Sequence, residues 1–127
     1  MARCPGDSCA GFNGQGAVWF KIAQAGLEPS AKTLAGPWYQ ETQIGQNKLP
    51  GWSVTIPKDL EAGAYLIRHE VINLEAYRAE FYPECAQLKV TGLGLKRPSG
   101  KYLASFPGAY KPTGQFLSPL HKWERDY

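Results

Sequence analysis

Long apolar runs are the first thing missing from this chain. No stretch of its 127 residues approaches the roughly 20 consecutive apolar residues of a membrane-spanning helix. The N-terminal MARCPGDSCAGF has no apolar h-region, so no signal peptide is visible. Excess charge is scarce too: 14 Lys and Arg against 11 Asp and Glu leave +3, with no basic stripe. That excludes the electrostatic footprint of a nucleic-acid-binding domain. Lys96-Arg97-Pro98 and the 121–125 segment around His121 and Trp123 read as solvated pieces. There is no internal repeat or low-complexity tract, and no nucleophile elbow, P-loop or dinucleotide-binding glycine motif in a βα setting. The only histidines, His69 and His121, lie far apart, and the cysteine spacing does not make a zinc site.

Cysteine is limited to Cys4, Cys9 and Cys85. Pro5 and Gly6 suit a tight turn between the first two, which a disulfide would close, leaving Cys85 over. Three reduced cysteines in a cytosolic protein are the other reading of the same spacing.

What is present is a folded, β-rich composition with 13% aromatic and 20% charged residues, a length that suits one domain. The apolar period is mostly two. Strands are predicted over 17–22, 52–56, 64–72 and 86–91, with turn-rich segments at 11–16, 28–36 and 45–51. After Arg97 the pattern fades. The expected class is all-β, an antiparallel sandwich, but the four or five strands in evidence fall short of the roughly seven of a full one.

One region could carry chemistry. Arg68-His69-Glu70 lies on a predicted strand, and Glu80-Phe81-Tyr82-Pro83 follows a short connection, so His, Glu and Tyr from adjacent strands could converge. Histidine moves protons at neutral pH, and a phenol oxygen can meet a metal or an oxygen species. A structural hydrogen-bonded pair is the plainer reading. Acid pairs such as Glu41 and Asp59 could be offered for glycoside hydrolysis, but nothing in the sequence sets their separation. Aromatics are a second signal. Trp19 and Trp52 read as core, whereas Trp38, Tyr39, Tyr77, Tyr102 and Tyr110 are available for a surface, Tyr110 most of all because it follows Pro107-Gly108 in a loop.

Five segments in order resemble the fungal cellulose-active lytic polysaccharide monooxygenases: Ala17-Val18-Trp19-Phe20-Lys21-Ile22, Trp52-Ser53-Val54-Thr55-Ile56-Pro57, the 62–72 strand, the 80–92 segment beginning Glu80-Phe81-Tyr82-Pro83-Glu84-Cys85, and Phe106-Pro107-Gly108-Ala109-Tyr110. The resemblance covers residues 1–112 and leaves 113–127 as a divergent tail. It implies an immunoglobulin/fibronectin-III-like antiparallel β-sandwich, incomplete here because N-terminal strands are missing. It also implies a secreted copper enzyme that cleaves cellulose or related β-glucans oxidatively, with an electron donor or peroxide. By motif, Tyr82 matches the axial copper position and His69 the histidine that hydrogen-bonds the oxygen species. Glu80 stands where the family has a Gln. Tyr110 is placed on the cellulose-binding face. Cys4 and Cys9 match a small local disulfide loop, and Cys85 a cysteine whose partner lies in the N-terminal half.

Four departures accompany these matches. Met1 is not the copper-binding N-terminal histidine, and neither His69 nor His121 matches the second histidine ligand. The connection over 73–79 is short, Glu80 replaces a neutral amide with a carboxylate, and the tail beyond Pro112 diverges. The expectation is a C-terminal half that binds copper weakly or not at all by itself, with a non-catalytic carbohydrate-binding remnant using surface aromatics as the alternative.

Overall fold

In the computed structural model, which describes residues 1–44, 52–74 and 79–110, two long strands dominate. β3 (Gly63–Asn73) and β4 (Glu80–Val90) run antiparallel in unbroken register from Gly63↔Val90 to Asn73↔Glu80. Three short strands complete the sheet: β1 (Ala2–Arg3), β2 (Ala17–Phe20) and β5 (Leu103–Ser105). The order is β4-β3-β1-β2-β5, all neighbours antiparallel. β4 is therefore outermost, where Pro83, which donates no ladder hydrogen bond, is tolerated.

The buried residues gather where β1 to β3 meet. Tyr65 and Leu60 are almost wholly buried, with Met1, Trp19, Phe20, Ala64 and Ala104 close behind. Phe20 meets Tyr65 edge-on at 6.3 Å, and the Tyr65 hydroxyl donates to the Glu61 carbonyl at 2.8 Å, so the ring is buried without stranding its polar tip. Trp19 is handled alike: its Nε1 donates to the Gly14 carbonyl at 2.7 Å. Cys4 and Cys9 form a disulfide, and with Ala64, Phe12 and Leu66 they make a small cluster beside β3. Cys85 is a free, exposed thiol.

The segment after β4 lies along residues 59–61, and Gly94 permits it: a Cβ there would sit 2.3 Å from the Leu60 carbonyl oxygen. Lys96 and Arg97 are not merely solvated, as their sequence setting predicts. Lys96 pairs with Asp59 at 3.3 Å, and Arg97 donates to Glu61 at 2.6 Å.

Residues divide into two compact units, Met1–Lys21 with Pro57–Tyr127, and Ile22–Ile56. The second is turns and bridges (Leu27↔Trp38, Thr33↔Gly36) with a π-helical turn over Gln40–Ile44. The predicted strand over 52–56 is a correction: these residues have no sheet partner among the described strands. Alternation alone does not supply a neighbouring strand. Trp52, expected in the core, is half-buried with its ring 5.3 Å from that of Tyr39. Of the sandwich, the described residues form one five-stranded sheet. No helix among them is long and apolar enough to cross a membrane. Tyr77, His121 and the 113–127 tail lie outside the described residues.

Candidate functional site

Strand geometry decides which residues meet. Paired residues in an antiparallel ladder share a face, and successive residues alternate. The pairs His69↔Glu84, Val71↔Tyr82 and Asn73↔Glu80 therefore put Tyr82, Glu80 and His69 on one face of the β3–β4 hairpin. The pairs Arg68↔Cys85, Glu70↔Pro83 and Ile72↔Phe81 occupy the other.

On the first face, the Tyr82 hydroxyl donates to Glu80 Oε2 at 2.7 Å, and Asn73 Nδ2 donates to the same oxygen at 3.2 Å. Tyr82 is 57% exposed. Its phenol is pushed above the ordinary value by the hydrogen bond to Glu80, then by that carboxylate's charge, because an accepting anion favours the protonated phenol. His69 is a diagonal neighbour of Tyr82, a relation that spans about 7–8 Å between strands. Asn73 was not singled out in the sequence. Counting the ladder back from a turn centred in the 73–80 connection would have found it.

On the second face, the Arg68 guanidinium donates to Glu70 Oε1 and lies 4.2 Å over the Phe106 ring. Burial works against the Arg68 charge, but Glu70 outweighs it and the guanidinium is held above its ordinary value. Tyr110 donates its hydroxyl to Glu70 Oε2 and stacks on Phe81 at 4.9 Å with 22° between the planes. Burial first, then the bond to Glu70, pushes its phenol up to about 12. A shallow cleft of about 350 Å³ is lined by Arg68, Glu70 and Phe81 of the hairpin and by the Phe106–Tyr110 turn packed against them. The register thus puts Tyr82, Glu80 and His69 on one face of the hairpin, with only Tyr82 and Glu80 in direct contact among the bonds described, and Tyr110 lies against the opposite face, half-buried.

Among the described residues no group of three or more His, Cys, Asp or Glu is arranged to hold a metal ion. The Tyr82 face offers one imidazole, carboxylates and a phenol, whereas copper favours sites richer in imidazole nitrogen. These residues do not make a copper site by themselves.

The family model of Auxiliary Activity family 9 (formerly GH61) matches residues 1–126. The chain belongs to this family. Among curated relatives, it is 46% identical over 118 residues to the AA9 family lytic polysaccharide monooxygenase-like protein CEL1 of Agaricus bisporus, covering 93% of this chain and 36% of that protein. To the AA9 family lytic polysaccharide monooxygenase D of Thermothelomyces thermophilus it is 44% identical over 117 residues, 85% of this chain and 44% of the relative. To the AA9 family lytic polysaccharide monooxygenase A of Gloeophyllum trabeum it is 45% identical over 104 residues, 79% and 30% respectively. This AA9 chain spans between 30% and 44% of the length of these three relatives.

Proposed function

We propose that this chain supplies one part of a secreted, copper-dependent lytic polysaccharide monooxygenase domain, and that the whole domain cleaves cellulose or a related β-1,4-glucan oxidatively with an electron donor or peroxide. The observation that carries the reading is the exposed Tyr82 phenol, held by Glu80 on the face that also bears His69, in a chain whose family is established. In the whole domain the Tyr82 phenol oxygen would be the group of this chain that helps hold the copper, which would supply the oxidative chemistry, with His69 and Glu80 on the same face. Glu80 holds the phenol proton toward itself, so the accepting side of the phenol oxygen is turned away from the carboxylate. The histidine ligands would come from outside the residues described. The remainder of a sandwich would cover the sheet. The Cys4–Cys9 disulfide supports an oxidising, extracellular setting.

Tyr110 is left out of the substrate contact in this reading, because Glu70 holds its hydroxyl and Phe81 covers one ring face. The test is the 5′ end of the transcript, read together with a copper titration of the 127-residue chain. An in-frame extension encoding a signal peptide followed by His, with weak copper binding by the chain alone, is the expected outcome. A transcript starting at Met1 overturns the oxidative reading, and cellulose binding that depends on Tyr82 would then establish a carbohydrate-binding remnant.

A further inference from the structure

Tyr82 is attached to the sheet by a strand whose other face is gripped. Phe81, its immediate neighbour, points to the opposite side, where it stacks on Tyr110 at 4.9 Å. Tyr110 is itself fixed at two more points: its hydroxyl on Glu70 and its ring against Phe106 at 5.6 Å. Phe106 in turn carries the Arg68 guanidinium over its face and meets Trp19 edge-on at 6.0 Å. Trp19 is a buried core residue of β2. A continuous set of contacts therefore runs from the core of the sheet, through Phe106 and Tyr110, to the back of β4 at Phe81.

Burial falls away toward the far end of the hairpin. β3 is buried at Ala64 and Tyr65 but only half-buried or exposed from Leu66 to Asn73, and β4 has no buried residue. A two-stranded ribbon is marginal by itself in water. Because side chains alternate along a strand, the direction in which Tyr82 projects follows from how the backbone is held at Phe81.

From this we infer that Tyr110 is a positioning residue for the Tyr82–Glu80 pair, acting through its ring stack on Phe81 from the opposite face of the hairpin. The inference deepens the reading above and rests on it only for the importance of Tyr82; the juxtaposition itself requires no metal. Within the hairpin, Glu80 and Glu84 on β4 and His69 and the buried Tyr65 on β3 are the titratable groups sharing the Tyr82 face.

The experiment uses the 127-residue chain with tyrosine labelled at Cζ with carbon-13, and follows the Tyr82 phenol by NMR across pH. In wild type one Tyr82 resonance titrates above the ordinary phenol value. Tyr110→Leu removes the aromatic stack. The expected result is a Tyr82 titration shifted back toward the ordinary value, with its resonance broadened or split as the Glu80 contact loosens. Tyr110→Phe keeps the stack and restores the wild-type titration, although the bond to Glu70 is gone. If Tyr110→Leu does not fold, Phe81→Leu breaks the same stack from the other side and carries the same expectation. A folded variant lacking the stack whose Tyr82 titrates as in wild type overturns the inference: Tyr110 would then be structural only. Copper does not enter this readout, so failure of the oxidative reading and failure of this inference are separate outcomes.

Discussion

Tyr82 and Glu80 stand two residues apart on β4, and the phenol of one donates to the carboxylate of the other at 2.7 Å. Strand residues at this spacing share a face, so the contact is local to the strand and moves with it. Replacing the carboxylate by its amide, Glu80→Gln, removes the charge while leaving an acceptor oxygen. The Tyr82 phenol should then titrate closer to its ordinary value of 10.0. NMR titration of Tyr82 in the two proteins measures the difference, and equal midpoints would refute this account of its shift.

Two of the three cysteines are paired and the third is open. Under native conditions iodoacetamide should label Cys85 alone, as one adduct by mass spectrometry. Replacing Cys4 and Cys9 together by Ser opens a loop closed over a sequence separation of 5, which the chain-entropy relation values at about 2 kcal/mol. The urea midpoint should fall accordingly.

Glycine is required at one crossing and not at another. Gly94→Ala would place a methyl 2.3 Å from the Leu60 carbonyl oxygen and 2.4 Å from the carbonyl carbon of Asp59. The backbone must move, at a cost of more than about 2 kcal/mol. Gly26→Ala meets only the Trp38 ring at 3.9 Å, and its effect should stay within about 0.5 kcal/mol. Urea unfolding of the two variants checks the contrast.

The β3–β4 hairpin was the legible part of the chain. The strand predicted over 64–72 is realised as Gly63–Asn73, and the one over 86–91 begins earlier, at Glu80. The sequence offered His69, Glu80 and Tyr82 as residues that could converge, but the register that sets them on one face belongs to the pairing of β3 with β4, which alternation within either strand does not fix. β1 and β5, of two and three residues, are too short to carry a period, and they exist because β2 and β3 offer them ladder partners. The segment 52–56 has the period but no partner strand among those described. Tyr110 looked like a surface aromatic because Pro107 and Gly108 announce a turn. What the turn folds back onto is a long-range contact, from Tyr110 to Phe81 and Glu70, and no local pattern encodes it.

Pro83 sits within the outermost strand of the sheet. A bare strand edge is a template on which further strands can add, and chains stack into fibrils by that route. With one donor deleted at Pro83, and Glu80, Glu84 and Lys89 charged along the same strand, β4 is a poor surface for such growth. The strand that bears the Tyr82 phenol is thereby also a gatekeeper against aggregation, and replacing Pro83 with a β-branched residue would remove that protection.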